Sequence, residues 1–483
     1  MSFRAIQRIL GLLLMVFSVT MLPPIGVSWY YAEGSHVAFI AAAAWLVAVG
    51  AAIWWPVRRD RRDLRLRDGF MVVTLFWTVL GVAGALPLYI SPHPSIGVTD
   101  AVFEAVSGLT TTGATVLVGL DTLPRSILYY RQQLQWLGGM GIVILAVALL
   151  PMLGVGGMSL YRAEMPGPVK DAKLTPRITQ TARMLWVVYV TITAACAGAY
   201  WLAGMDTFDA IGHAFATVAI GGFSHYDASI GHFDSRAVEI VAVFFMLLGA
   251  MNFGLHFVAW RNGRISAYWR DPECRAFLRL MATLSAVTLV YLLLAGDYDD
   301  TLQLAADGVF QAISVATTTG FTTSHFYHWP AGLPVLLLFA SFIGGCAGST
   351  AGGLKVVRCL LLVKQGRREI IRLVHPTAEI PVQLGGRAVP LRVVDAVWGF
   401  FAVYVGVFAV LMLSLMITGV DQVTAFSAIA ATLNNLGPGL GEVTHSYAAL
   451  SGVAKWICVI AMLLGRLEIF TLLLLFTVYF WRK

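Results

Sequence analysis

Charge is what this sequence has least of: Asp, Glu, Lys and Arg make up 12% of its 483 residues, against about a quarter in ordinary soluble domains. With 58% hydrophobic residues, a water-soluble fold would leave too much apolar surface exposed, which sets a soluble enzyme aside. Cysteine is sparse and scattered. Cys196, Cys274, Cys346, Cys359 and Cys458 form no CxxC and no Cys/His group of metal-ligand spacing, so they read as small core residues rather than a disulfide framework. The sequence also lacks a GxGxxG or Walker-type loop, so any regulation by nucleotide falls to another polypeptide. It lacks clustered Ser/His/Asp and paired carboxylates, which argues against a membrane enzyme or receptor scaffold. No organic cofactor is expected on this chain.

Long apolar runs are what it has most of. They mark ten full spans, at about 6–30, 36–57, 69–91, 126–151, 182–205, 235–261, 275–296, 331–363, 392–418 and 452–481, each near or above the roughly 20 residues a bilayer-crossing helix needs. The first follows Arg4 and Arg8 as a signal peptide would, but it lacks a small-residue cleavage site and runs into Pro23-Pro24 and aromatics, so it reads as a retained span. The formal net charge of +7 is a matter of location, and nucleic acid is not the expected partner. When the spans are threaded from an inside N-terminus, 1–10, 58–67, 162–183, 261–279, 355–392 and the tail share one side. All of the 33 Lys and Arg residues except Arg125, Arg131, Arg236, Lys455 and Arg466 lie there. The positive-inside bias makes that side, with both termini, cytoplasmic. The expected class is an all-α polytopic membrane protein in contact with lipid.

Four outer segments between paired spans are too short to cross. Aligned on one glycine, they read Asp100-AVFEAVSGLTTT-Gly113, Asp209-AIGHAFATVAIG-Gly222, Asp307-GVFQAISVATTT-Gly320 and Thr424-AFSAIAATLNNL-Gly437, with the polar residue 13 before the glycine each time. The glycines stand 109, 98 and 117 residues apart, a period long enough for a whole structural unit. Each unit is a span, a re-entrant segment and a span, and each begins and ends inside. All four copies therefore share one orientation, which implies a pseudo-fourfold axis along the membrane normal rather than inverted repeats. The expected organisation is two N-terminal transmembrane helices in 1–68, then repeats at 69–160, 161–265, 266–375 and 376–483.

The re-entrant segments are expected to start at the repeated Asp or Thr as an N-cap and to run about two helical turns, reaching only partway through the hydrocarbon. The chain must then turn back, and non-helical backbone at that depth survives only where protein buries it or it lines a watery cavity. β-branched and small residues before each glycine suit an extended strand, and glycine permits backbone geometries that others resist. Carbonyls of four such strands can replace an ion's hydration shell, with the negative ends of four short helices favouring a cation. The filter expected on these grounds comprises Thr111, Thr112 and Gly113; Ile220, Gly221 and Gly222; Thr318, Thr319 and Gly320; and Asn435, Leu436 and Gly437. A single TTTG is an ordinary turn; four at matched offsets are not.

These residues resemble the Trk/Ktr/HKT superfamily of K⁺ transporters, and within it the bacterial TrkH branch. The resemblance covers essentially the whole chain. It is carried by Phe103-Glu104-Ala105 with Ser107-Gly108, Trp136-Leu137-Gly138-Gly139-Met140-Gly141, Gly221-Gly222-Phe223-Ser224, Asn252-Phe253 with His256-Phe257, the GGCAGSTAGG run from Gly344 to Gly353, Asn434 to Gly439, and Gly465-Arg466. It implies uptake of potassium ions, one filter glycine per repeat and ion-facing carbonyls before it. Serine at the first glycine goes with Na⁺ transport in the plant relatives, so Gly113 points to K⁺. Ile220 departs from the threonine common at its place, a change that a backbone ligand tolerates. The resemblance also implies a bacterial inner membrane location, a homodimer with one pore per protomer, and a cytosolic ring of TrkA-type NAD- and ATP-binding subunits. That ring would dock on loops such as 152–180 and 364–391, which serve equally well as orientation signals alone.

The eighth span is interrupted by five glycines in ten residues, which destabilise a helix by up to about 1 kcal/mol each. Close packing through small residues is one reading. The other, which the family also implies, is a gate: an intramembrane loop with Gly344, Gly345, Gly348, Ser349, Thr350, Gly352 and Gly353 plugging the pathway. Arg466, near the middle of the expected last span, is either a structural ion-pair partner or an electrostatic barrier hydrogen-bonded to that loop. His213, His225 and His256 read as packing residues rather than proton carriers; His93, His232, His325, His328 and His445 fall in outer loops without metal-site spacing. A symporter coupling K⁺ to H⁺ or Na⁺ is the rival reading, with Glu104, Arg466 and Glu468 as its few ionisable candidates.

Overall fold

The computed structural model describes residues 2–60, 66–139, 141, 178–296, 298–330 and 332–482. The lower half of the fourth expected span, most of the 162–183 loop, the 160/161 repeat boundary, Met140 and most of the candidate docking loop 152–180 lie outside those residues. Phe3–Tyr30, His36–Val57, Arg67–Ile90, Arg183–Leu202, Pro272–Ala295 and Leu391–Ile417 are helical segments long and apolar enough to cross a membrane. The chain is a multi-pass, almost wholly helical protein; a two-residue hairpin pairing Gln383–Leu384 with Arg387–Ala388 is the sheet among the described residues.

The first two spans lie against each other at Gly11 and Gly50, where a Cβ on either would stand 2.6 to 2.8 Å from the other's carbonyl oxygen. Small residues let helix backbones approach this closely, as lipid-embedded helices require. The remaining chain forms four like units. The re-entrant helices Val98–Leu109, Thr207–Val218, Thr301–Ala316 and Gln422–Asn434 each pack between the helix before and the helix after them in sequence. Each also touches the second helix of a neighbouring unit. Arg125–Gly139 packs on the second re-entrant helix, Arg236–Ala250 on the third, Gly332–Ser341 on the fourth and Gly452–Arg466 on the first. That order closes on itself, giving four parallel repeats around a pseudo-fourfold axis.

Among the described residues, the sixth, eighth and tenth expected spans break most clearly. The sixth, 235–261, divides into Arg236–Ala250 and Phe253–Asn262, bent by 98°, because Asn252 caps a new helix by accepting from the Gly254 amide at 2.7 Å. The eighth breaks as its glycines require: Gly332–Ser341 and Val356–Val374 flank a non-helical stretch from Phe342 to Lys355. The tenth ends as a helix at Arg466, after which Glu468 and Ile469 take positive φ values of 50° and 54°, and only short helices Phe470–Leu475 and Val478–Trp481 follow. Arg466 therefore stands at a helix end, where the expected last span breaks.

The re-entrant helices also start earlier than expected. Asp206, Asp300 and Asp421 are the side-chain caps, accepting from Asp209 N at 2.6 Å, Leu302 N at 2.9 Å, and Val423 N and Thr424 N at 2.9 and 3.1 Å. The first helix begins after Gly97 without a side-chain cap. At 12 to 16 residues these helices make three to about four turns. In three repeats the polar residue 13 before the glycine instead ties its helix to a segment beyond the turn, and in the first it ties it to the second helix of the fourth repeat. Asp209 binds His225 Nδ1 at 2.6 Å and the Tyr226 hydroxyl at 2.8 Å. Asp307 accepts from Thr323 at 3.2 Å, Thr424 Oγ1 accepts from Glu442 N at 3.1 Å, and Asp100 pairs with Lys455 at 2.7 Å.

Candidate functional site

All four re-entrant helices end in one way. The residue two before the glycine has a positive φ in every repeat: 56° at Thr111, 56° at Ile220, 67° at Thr318 and 54° at Asn435. Its N–H bonds three residues back, to Gly108, Thr217, Val315 and Thr432, at 3.0 to 3.3 Å. The next N–H, of Thr112, Gly221, Thr319 or Leu436, bonds five residues back at 2.8 or 2.9 Å. This is a Schellman cap, a position that normally takes glycine and here carries β-branched residues three times out of four. The expected extended strand is thus a left-handed turn. Non-glycine residues in this region store roughly 1–3 kcal/mol each and persist where surroundings over-determine them.

The cap aims the carbonyls. In a trans peptide the C=O and the following N–H point in opposite directions. With the N–H groups of Thr111 and Thr112 turned back into the helix, the carbonyls of Thr110 and Thr111 project beyond its C-terminal end; the other repeats repeat this. That end carries the equivalent of about half a negative charge.

The glycines complete a ring. Gly113, Gly222, Gly320 and Gly437 have φ of 79°, 78°, 84° and 96°, and each lies against the carbonyl preceding the next repeat's glycine. A Cβ on Gly113 would stand 2.1 Å from Gly221 O, on Gly222 2.0 Å from Thr319 O, on Gly320 2.2 Å from Leu436 O, and on Gly437 2.7 Å from Thr112 O. The contacts run from the first repeat through the fourth and back to the first. Backbone conformation and crowding by backbone each require glycine here.

Side chains from elsewhere hold the ring. Gln135 donates to Gly221 O at 2.6 Å and accepts from Phe223 N at 3.1 Å, Gln132 donates to Phe223 O at 3.0 Å, and the Tyr447 hydroxyl donates to Gly437 O at 2.9 Å. Asn435 Nδ2 reaches across to Thr112 Oγ1 at 2.9 Å, and the Tyr404 hydroxyl binds Asn434. Glu104 is fully buried with Arg131; it receives Arg131 Nε at 2.7 Å, Thr115 Oγ1 and Val116 N, fixing the chain beyond Gly113. Sequence reasoning missed the glutamines and Tyr447. A signal existed for the former: Gln132, Gln133 and Gln135 sit in an expected span, where polar groups are expensive unless paired.

Beneath the ring lies the glycine-rich loop, within which Gly344, Gly348 and Gly353 have φ of 67°, 76° and 72°. Gly352 N donates to Thr318 Oγ1 at 2.8 Å and Gly353 N to Asn434 O at 3.2 Å. A Cβ on Gly352 would meet Asn434 O at 1.9 Å, and one on Gly345 would meet Ala250 O at 2.7 Å. Thr350 Oγ1 donates to Val218 O at 2.9 Å, at the end of the second re-entrant helix, and Ser349 closes a turn onto Cys346 O. Arg466 joins the loop to the first repeat, donating to Thr350 O at 3.2 Å and Gly138 O at 2.5 Å. Glu468, two residues on, pairs with Arg358.

The histidines are structural in their contacts. His213 binds Asp209 O and Ser224 Oγ at 2.8 and 2.9 Å, and His256 binds Tyr268 and Leu248 O. Asp209, His213 and His225 lie close enough to share a metal ion; both ring nitrogens of His213, and His225 Nδ1 with Asp209 Oδ1, are engaged in the tether beyond Gly222. His325 and His445, distant in sequence, meet at the Tyr327 hydroxyl at 2.7 and 2.8 Å; partial burial and the neighbouring His325 and His328 push the His445 imidazole below its ordinary value.

Against known proteins, the model of the TrkH family, described as cation transport protein, matches residues 35–481. The Trk system potassium uptake protein TrkH of Halomonas elongata is 57% identical over 483 residues, covering all of both chains. The Trk system potassium uptake protein TrkG of Escherichia coli is 43% identical over 482 residues, 99% of each. The crystal structure of the potassium transporter TrkH from Vibrio parahaemolyticus matches with a TM-score of 0.91 at 55% identity over the whole of both chains.

Proposed function

Because the chain belongs to the TrkH family of cation transport proteins, we propose that it takes up potassium across the plasma membrane through a channel-like pore whose filter is the ring at Gly113, Gly222, Gly320 and Gly437. The observation that carries this reading is the closed head-to-tail order of those four glycines, each against the next repeat's carbonyl. Rings of backbone carbonyls replace an ion's hydration shell, and four helix C-termini favour a cation over an anion. Potassium as the transported ion is supported by the names of relatives that cover the whole chain.

The loop from Gly344 to Gly353 is the gate in this reading, and Arg466 is an electrostatic barrier below the filter. An arginine held on two carbonyls beneath a cation site opposes cation passage until it moves. The chain works as a homodimer in a bacterial inner membrane with both termini cytoplasmic, and it binds no organic cofactor. Its regulator is a separate cytosolic ring of TrkA-type NAD- and ATP-binding subunits; the relatives' naming as parts of a Trk system supports a multi-component assembly. Coupled symport with H⁺ or Na⁺ would draw on Glu104 and Glu468, which are engaged with Arg131 and Arg358, so passive conduction is the reading adopted.

The test is Rb⁺ uptake into proteoliposomes with Na⁺ as competitor. Uptake that K⁺ suppresses and Na⁺ does not is expected; equal suppression by Na⁺ overturns the K⁺ filter. A flux reversal potential that follows the K⁺ gradient alone separates passive movement from coupling.

A further inference from the structure

The glycine-rich loop has an anchor that the filter and Arg466 do not explain. Glu273 stands in the first turn of Pro272–Ala295, at the end of that helix nearest the cytoplasmic hairpin, where Gly385 packs against Pro272. Its side chain is about nine-tenths buried, with 9% exposure. One carboxylate oxygen, Oε1, accepts from Ala347 N at 2.7 Å, inside the loop, and from Val357 N at 3.1 Å, just beyond it. Helix Val356–Val374 starts from Lys355 at φ 79° with no side-chain cap of its own, so an orphan first-turn donor is satisfied from another segment.

Apart from Arg466 on Thr350 O and Lys355 on Ala351 O, the loop's other anchors are of a different kind. Cys346 N binds Ala250 O at 2.8 Å, Phe253 N binds Gly348 O at 3.0 Å and Gly352 N binds Thr318 Oγ1. These are neutral bonds to parts that belong to the ring or its supports. Glu273 supplies one nearly buried oxygen that accepts from two backbone donors, and removing a buried acceptor leaves its donors unsatisfied at the cost of their desolvation. It also joins both sides of the loop at a single atom, so losing it frees Ala347 and the start of the next helix together.

We infer that Glu273 is the latch of the glycine-rich loop, a positioning residue that holds the loop beneath the ring from its cytoplasmic side. The inference rests on the gate reading above. Motion of the first turn of Pro272–Ala295 moves the latch, which gives the cytoplasmic surface a direct handle on the loop.

The experiment pairs backbone hydrogen–deuterium exchange of the full chain in lipid nanodiscs with Rb⁺ uptake in proteoliposomes, for Glu273→Ala, Glu273→Gln and Arg466→Ala. For Glu273→Ala, exchange over 344–350 accelerates and basal uptake rises about tenfold, the shift expected from leaving buried donors without their acceptor, with Na⁺ competition unchanged. Glu273→Gln, which keeps an oxygen acceptor, falls between. Wild-type exchange and uptake in Glu273→Ala, or faster exchange confined to the start of Val356–Val374, overturns the latch. If Glu273→Ala does not fold, Glu273→Gln decides by the same two readouts. Faster loop exchange with unchanged uptake in both Glu273→Ala and Arg466→Ala overturns the gate reading while supporting the latch; raised uptake in Arg466→Ala alone overturns the latch while supporting the gate.

Discussion

The ring and the loop beneath it are both rich in glycine, both left-handed in places and both crowded by backbone, yet only the ring is closed by symmetry-like neighbours. Each ring glycine is walled in by the backbone of the next repeat, with room for no further carbon, and the turn before it is a Schellman cap fixed by its own helix. The loop occurs once, so it has no symmetric neighbour to close it. Backbone crowds it at Asn434 O and Ala250 O, and three side chains sent from elsewhere complete its hold: Arg466, Thr318 and Glu273. A feature made by four copies is over-determined by geometry, whereas a feature made once is held by bonds that can be released singly. The first suits a filter, the second a gate.

The largest expected effect strikes the over-determined half. Gly222→Ala places a Cβ 2.0 Å from Thr319 O at a φ of 78°, adding strain and crowding of about 1–3 kcal/mol each at the ring. K⁺-competed Rb⁺ uptake should fall at least about tenfold; wild-type uptake would show that the ring is not the conducting element. Next comes the scaffold of the first repeat. Arg131→Leu leaves Glu104 buried and uncompensated, which destabilises by about 3–5 kcal/mol. Thermal unfolding in detergent should show that loss largely relieved in the Glu104→Leu/Arg131→Leu double variant, and equal losses in single and double variants would contradict the pairing.

Arg466→Ala tests the single-copy half. Removing the guanidinium from Thr350 O and Gly138 O should raise Rb⁺ flux severalfold, and unchanged flux in well-folded protein counts against the barrier. The smallest effect lies where the halves meet. Thr318→Val deletes the acceptor for Gly352 N, a neutral bond worth about 1 kcal/mol; basal uptake should rise less than in Arg466→Ala, and a larger rise would mean that Thr318, not Arg466, restrains the loop.

Much of this architecture was legible in the sequence because it recurs. Four glycines at matched offsets, with a polar residue 13 before each, gave the repeats and their common orientation, and five glycines in ten residues marked the break in the eighth span. What did not recur was harder to see. Of the true caps, Asp206 and Asp421 stand 16 residues before their glycines but Asp300 stands 20 before its own, because the third re-entrant helix is longer, and the first helix has no side-chain cap. The left-handed residue two before each glycine carries Thr, Ile, Thr and Asn; only Asn favours that region by itself, so at Thr111, Ile220 and Thr318 the cap bonds and the surroundings hold a conformation that residue type does not announce. The bend at Asn252 and the helix end at Arg466 lie within apolar runs, where hydropathy is blind to a cap or a left-handed pair. Gln135, Tyr447 and Glu273 act on atoms many residues away, and no local spacing announces them.

The most direct test of the central claim is Rb⁺ anomalous difference density from crystals grown in RbCl. The account predicts a peak on the axis enclosed by the carbonyls preceding Gly113, Gly222, Gly320 and Gly437, close to all four repeats. A ring without density, with Rb⁺ bound elsewhere in the chain, would contradict it.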